Sequence, residues 1–259
     1  MNTNKNKDWK VLTWNVRGIN SEWKWNTVKN KLTESNCDIA CLQEMKKEII
    51  DANFIKRIYP TSLDSFDYLP SVGASGGILV IWKSSLFSAT MKFTNNYAIT
   101  MEFCSRHNRN RWILTSIYAP CTTEGKTLFL DWFKNMQIDS EDHLILGDFN
   151  LIRKDTDRNK PGGDINDMFI FNAAISQLGI NEINLQGRKY AWSNKQHDPL
   201  LEKLDWVFSS ENWATSYPTT SVVAMEMIRS DHCPCVVTIS TSIPRTKIFT
   251  FETYWLRHH

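Results

Sequence analysis

Ten or so short apolar runs, most of them closing on polar side chains, constrain this chain more than any other feature. The clearest are "KVLTWNV" (10–16), "DIACLQE" (38–44), "GGILVIW" (76–82), "AITMEF" (98–103), "WILTSIYA" (112–119) and "HLILGDF" (143–149); "KYAWS", "KLDWVF", "SVVAMEM" and "CPCVVTIS" follow. Their length and β-branched content predict strands. Helical spacing occurs in three places: at Trp25, Val28 and Leu32; across Thr127 to Met136; and at Met168, Phe171, Ile175 and Leu178. So many strands with so few helices predict two mainly antiparallel sheets packed face to face with helices outside, a four-layer α/β sandwich rather than a doubly wound single sheet. No linker-like stretch, internal repeat or low-complexity segment divides the chain. Residues 1–243 are therefore expected to form one domain, and 244–259 a C-terminal extension.

Composition narrows the function only a little. With 42% apolar and 22% charged residues the chain can fill a sizeable core, which argues against disorder. Thirty basic and 28 acidic side chains leave a formal charge of +2, so no global field announces a nucleic-acid binder. The six cysteines (37, 41, 104, 121, 233 and 235) form no C-x-x-C pair and no zinc-like spacing, and are read as reduced packing residues. The polar start "MNTNKNKDWK" lacks a signal-peptide core, and no apolar run reaches the ~18 residues that cross a bilayer. A nuclear or cytoplasmic protein, not secreted and without a membrane partner, is the expectation.

The polar residues at the run ends carry the chemistry. Asn15 lies near the end of the first run, Gln43 and Glu44 end the second, Tyr118 lies late in its run, and "GDFN" supplies Asp148 and Asn150. Asp205 sits in "KLDW", and Ser230, Asp231 and His232 precede the final run. Singly, each is as well explained by a cap or a turn. Together they describe a rim of strand ends, where catalytic groups gather. Carboxylate and amide oxygens suit a hard cation such as Mg²⁺, which takes few protein ligands and shares itself with substrate phosphate. The absence of H-E-x-x-H and of a Gly-x-x-x-x-Gly-Lys loop removes zinc-peptidase and P-loop chemistry. Adjacent Ser230, Asp231 and His232 point different ways, and no G-x-S-x-G elbow exists, so a serine hydrolase does not fit. Metal-assisted attack of water on a phosphodiester does.

The motifs "TWNVRGIN", "CLQE", "GASGGILVIW", "SIYAP", "GDFNLIR", "YAWSN", "KLDWVF" and "SDHCP", in this order, resemble the endonuclease/exonuclease/phosphatase superfamily. "GASGGILVIW" and "WSN" tilt the likeness toward the apurinic-endonuclease-like domain of plant LINE-type (non-LTR) retrotransposons. It covers roughly residues 9 to 240. The resemblance implies Asp148 as the residue that orients or deprotonates water, with Asn150 on the same side of the strand by period-two alternation. It implies Glu44 as principal Mg²⁺ ligand, with Mn²⁺ as a possible substitute, helped by Asn15 and Asp231. His232, oriented by Asp205, and Tyr118 would donate to phosphoryl oxygens, while Ser193, Asn194, Ser230 and Trp192 would meet the substrate.

Three positions depart from the LINE pattern: Ala191 stands where threonine is usual in a loop expected to touch DNA, Trp206 replaces a basic residue, and Met45 replaces threonine. Basic clusters at Arg106 to Arg111 and Arg153 to Lys160 suit either DNA phosphates or solvated loops. The implied activity is a Mg²⁺-dependent endonuclease, a monomer, nicking double-stranded DNA to leave a 3′ hydroxyl for a reverse transcriptase domain of a longer parent protein. Two alternatives stay open: a phosphoesterase of the same fold acting on a small or lipid phosphate, and an inactive remnant that only binds nucleic acid.

Overall fold

The computed structural model describes residues 6–59, 62–73, 75–138, 141–228 and 230–244. The expected extension falls almost wholly at 245–259, outside the described residues. In chain order the elements are β1 (Asn6–Asn15), α1 (Glu22–Ser35), β2 (Ile39–Gln43), α2 (Ala52–Ile58), β3 (Ser65–Val72), β4 (Ser75–Trp82), β5 (Phe87–Thr94), β6 (Ala98–Ser105), β7 (Arg111–Tyr118), α3 (Thr123–Lys134) and β8 (His143–Asp148). Then come α4 (Ile165–Leu178), β9 (Asn181–Glu182), β10 (Leu185–Gln186), β11 (Trp192–Ser193), β12 (Leu201–Glu202), β13 (Asp205–Ser209), α5 (Glu211–Ser216), β14 (Ser221–Ala224) and β15 (Cys235–Pro244).

These strands build a seven-stranded sheet, β10-β14-β15-β1-β2-β4-β3, and a six-stranded sheet, β5-β6-β7-β8-β13-β9; β11 and β12 pair separately. Both large sheets are mixed, because β1 and β2 run parallel, as do β7 and β8. Alternation along each central strand sends side chains both ways, and both ways are apolar. From β1, Val11 faces a shared core with Leu114 and Leu146 of the other sheet, while Leu12 and Trp14 turn outward onto Val28 and Leu32 of α1 and Ile55 and Ile58 of α2. On the far side Ile145 and Phe208 face Phe129 and Phe133 of α3 and Phe171 of α4. Helices, sheet, sheet and helices make the expected four layers.

Two long strands escaped the pattern reading, for a shared reason. β3 and β5 are the outer strands of their sheets, so they lack the double-sided apolar signature of a central strand. β3 even carries Pro70, whose missing N–H is tolerated at an edge. "KYAWS", by contrast, gives only the two-residue strand Trp192–Ser193. Among the cysteines, 37, 41, 233 and 235 are buried as expected, but Cys121 is exposed; all six are free. No helix among the described residues is long and apolar enough to span a membrane.

Candidate active site

Parallel and antiparallel ladders place the key groups. In the six-stranded sheet Asp148, the last residue of β8, is registered with Tyr118 on one side and Asp205 on the other. In the seven-stranded sheet Asn15, the last residue of β1, is registered with Gln43, so Glu44 follows at the same rim. Beneath the rim Gln43 ties the sheets together, its Nε2 donating to Thr13 Oγ1 at 3.1 Å and to Ser116 Oγ at 3.0 Å. Glycine is required before Asp148: Gly147 has φ 139°, and a Cβ there would lie 2.0 Å from the Ile117 carbonyl oxygen.

Asn15 joins the two rims. Its Nδ2 donates to Asp148 Oδ2 at 2.8 Å and to Glu44 Oε2 at 3.1 Å. Its Oδ1, the atom expected to serve a metal, accepts from the Arg17 backbone N–H at 3.0 Å, so here Asn15 acts as a tie between carboxylates. Asp148 is fully buried. Its Oδ1 accepts from the Asn150 N–H at 2.9 Å. The period-two argument for Asn150 fails, because β8 ends at Asp148 and Asn150 takes a left-handed turn at φ 49°. The Asn150 side chain instead donates to the Ala119 carbonyl at 2.7 Å, leaving its main chain to orient Asp148.

His232 lies between two carboxylates, Nδ1 2.9 Å from Asp205 Oδ2 and Nε2 3.6 Å from Asp148 Oδ2. Burial alone would lower its pKa; the charges of Asp205 and Asp148 and the Asp205 hydrogen bond outweigh that and carry it up to about 9. Burial pushes Asp148 up to about 6 against the opposing pull of His232 and Asn15. Asp148, Asp205 and His232 offer three ligand atoms within 4.8 Å of one another, a grouping able to hold a metal ion. The Nδ1–Oδ2 contact inside it is a hydrogen bond, so a cation placed there would have to displace a proton.

The Glu44 side has a different character. Burial would raise the Glu44 pKa, but Lys46 and Arg17, with Asn15, lower it below the ordinary carboxylate range. Lys46 Nζ stands 3.0 Å from Glu44 Oε1, and Arg17 Nη1 3.3 Å from Oε2. Arg17 Nε also lies 3.2 Å from Asp231 Oδ2, which accepts from Trp192 Nε1 at 3.1 Å. Asp231 Oδ1 is buried with no hydrogen-bond partner. Tyr118 is raised by burial and by Glu44 and Asp148, which keeps its hydroxyl a neutral donor. Hard oxygen donors at Glu44 and Asp231, one of them an unpartnered buried oxygen, fit a divalent cation.

Other expected site residues make hydrogen bonds and packing contacts within the protein. Ser230 is buried, its hydroxyl donating to the Asn15 carbonyl at 2.8 Å and accepting from the His232 N–H at 3.1 Å. Ser193 Oγ accepts from Lys195 N–H, and Asn194 Oδ1 from Gln196 and Leu200 N–H, shaping the turn between β11 and β12. Trp192 packs against Ile152, Met168 and Leu204 while holding Asp231. Ala191 is fully buried, so it removes no hydroxyl from a DNA-facing surface; Met45 and Trp206 are likewise core residues. Arg17 and Lys46 escaped sequence reading. The Arg-Gly after Asn15 and the lysine after Glu44 were visible signals, but only the turns bring them onto Glu44.

A model of the endonuclease/exonuclease/phosphatase family matches residues 12–232. The fold is similar to that of the AP endonuclease LMAP from Leishmania major, at 16% identity and TM-score 0.68 over 90% of this chain and 88% of that one. It is also similar to the endonuclease domain of TRAS1, a telomere-specific non-LTR retrotransposon, at 13% identity and TM-score 0.67 over 90% and 98%. The 3′-5′ exonuclease NExo from Neisseria meningitidis follows at 16% and 0.66 over 89% and 99%. No curated protein matches the chain in sequence. Such identities speak for the fold alone, but the family match spans most of the chain: the chain belongs to the endonuclease/exonuclease/phosphatase family.

Proposed function

We propose that this domain is a Mg²⁺-dependent DNA endonuclease that hydrolyses one phosphodiester of a duplex and leaves a 3′ hydroxyl, as a LINE-type retroelement needs to prime reverse transcription. The observation that carries the reading is the Asn15 amide joining Asp148 to Glu44, which holds a candidate base and a candidate metal ligand within one side chain of each other. Glu44 and Asp231 would hold the cation. Bound there, it would offset charge on the phosphate and on the departing 3′ oxygen.

The chain's own residues supply the rest. Asp148, raised toward 6, is a stronger base than an ordinary carboxylate and is still ionised at neutral pH, so it can take a proton from the attacking water. His232 stays protonated, and with Nδ1 committed to Asp205 its Nε2–H is the donor for a phosphoryl oxygen. Tyr118 donates from the neighbouring strand. Asn150 fixes Asp148 through its main chain.

For the substrate, two basic regions differ. Arg111 begins β7 and Tyr118 ends it, about 23 Å apart at strand rise, so the cluster Arg106 to Arg111 lies at the far pole. Arg111 there pairs with Glu102. The second cluster follows β8, on the site's side, where a cavity of about 480 Å³ is lined by Arg153, Lys154, Arg188, Lys189 and Lys203. Glu182 pairs with both Arg153 and Lys203, which leaves the wall cationic and suited to a phosphate backbone. The LINE-like motifs and the likeness to the TRAS1 endonuclease domain support a retroelement setting beside a reverse transcriptase. Supercoiled plasmid with Mg²⁺ tests the reading: relaxed circles are expected from the wild type and none from Asp148→Ala. Turnover of inositol phosphates or sphingomyelin with intact plasmid would reverse it.

A further inference from the structure

Arg17 is the least expected member of the site. It sits in the left-handed region at φ 52°, and so do Glu44, whose carboxylate it meets, at 54° and Lys46 at 53°. Such backbone is unfavourable for residues with a Cβ and clusters where function over-determines it. Here main-chain bonds hold it: Val16 N–H to the Gln43 carbonyl at 3.1 Å, Gly18 N–H to that of Glu44 at 2.7 Å, and Ile19 N–H to that of Met45 at 3.2 Å. The Arg17 carbonyl in turn accepts from Lys24 Nζ at 2.6 Å. None of these bonds uses the guanidinium, which is therefore free to change partners while the turn stays fixed.

The guanidinium spans Glu44 and Asp231, yet half of the side chain is exposed, against 4% for Glu44. Burying a charged group costs desolvation, and the exposed side of this guanidinium keeps it accessible to other partners. The guanidinium is a planar fork with five N–H donors, of which Nη1 donates to Glu44 while Nε stands 3.2 Å from Asp231, and such a fork can also meet a second oxyanion. We propose that Arg17 is a substrate-positioning residue that competes with the divalent cation for Glu44 and Asp231, and that the cation's arrival releases the guanidinium to a phosphate of the bound strand. The inference rests on the endonuclease reading for its substrate, but not for its competition with metal.

Two properties then move in opposite directions. Replacing Arg17 by Gln removes one of the two cations on Glu44, leaving Lys46, and the one on Asp231, so titration calorimetry with Mn²⁺ should show about 3- to 10-fold tighter binding in the absence of any substrate. The same variant, placed in an Asp148→Asn background that does not cut, should bind a short duplex about tenfold more weakly by anisotropy. With Asp148 restored, KM should rise with kcat changed less than about threefold. Arg17→Lys keeps the charge but loses the fork: near wild-type Mn²⁺ affinity and weakened duplex binding are expected. If Arg17 merely holds the carboxylates together, R17Q loosens Mn²⁺ instead, and that result, or unchanged duplex affinity in both variants, overturns the proposal. Failure of the wild type to nick plasmid would sink the endonuclease reading while leaving the Mn²⁺ result to judge the competition.

Discussion

Two buried histidines stand at opposite ends of β8 and differ in charge, one neutral and the other cationic. His143 opens β8 at the far pole and is 4% exposed; His232 sits beside the residue that ends β8 and is 1% exposed. His143 has a hydroxyl partner, Thr115 Oγ1 at 2.8 Å, and burial lowers its pKa to about 4. His232 suffers the same desolvation but has Asp205 and Asp148 beside it, and rises to about 9. Burial therefore does not set the protonation state at the site. The strand register that places Asp205 opposite Asp148 does.

The largest expected effect comes from breaking the carboxylate side. Asp148→Asn keeps the shape but removes the base, and should lower the nicking rate by about 10³-fold with duplex binding retained, measured in single-turnover assays. A loss under tenfold would remove Asp148 from the chemistry.

Next is the far pole. His143 has a folded pKa below its unfolded value, so its contribution is present above about 6.5 and is lost as pH falls toward 4. The difference between wild-type and His143→Gln unfolding free energies should change by roughly 3 kcal/mol across that window. Taking the difference matters, because Asp148, whose pKa is raised, works in the opposite direction over much of the same range. A pH-independent difference would mean that His143 is not held neutral by burial. His232 has the opposite sign: its contribution is full below about 6.5 and is lost as pH rises through about 9.

Asp205→Asn should make the two histidines more alike. With one carboxylate gone, the His232 ring-proton titration followed by NMR should move downward, the alkaline limb of the pH–rate profile should follow it, and nicking should fall by about 10²-fold. An unmoved titration would assign the elevation to Asp148 alone. The smallest effect concerns the neighbouring loop: Ala191→Thr, restoring the commoner LINE residue, should cost about 1 kcal/mol in chemical denaturation because the site is closed, and leave duplex affinity unchanged.

Legibility in the sequence followed this same division. Groups at the rim end of a central strand could be read directly, because a two-sided apolar run bounded by a polar group marks both the fold and the rim: Asn15, Glu44, Tyr118 and Asp148 close their runs, and Asp205 opens its own opposite Asp148. Groups positioned by turns could not. Asn150 was placed by a periodicity that had already ended, and Arg17 depends on a left-handed turn that no spacing announces. Ser230 and Asn194 look like substrate donors by type, yet the Ser230 hydroxyl donates to the Asn15 carbonyl and the Asn194 Oδ1 accepts from backbone N–H groups of its own turn. Edge strands such as β3 remained invisible for want of a second apolar face.

The amide of Asn15 has one more consequence. It is a hinge pin between layers that belong to different hydrogen-bonded sheets, and its two acceptors are the carboxylates proposed for base and metal ligand. Any sliding of one sheet over the other would part Asp148 from Glu44, so interlayer alignment sets the separation of the proposed base and the proposed metal ligand.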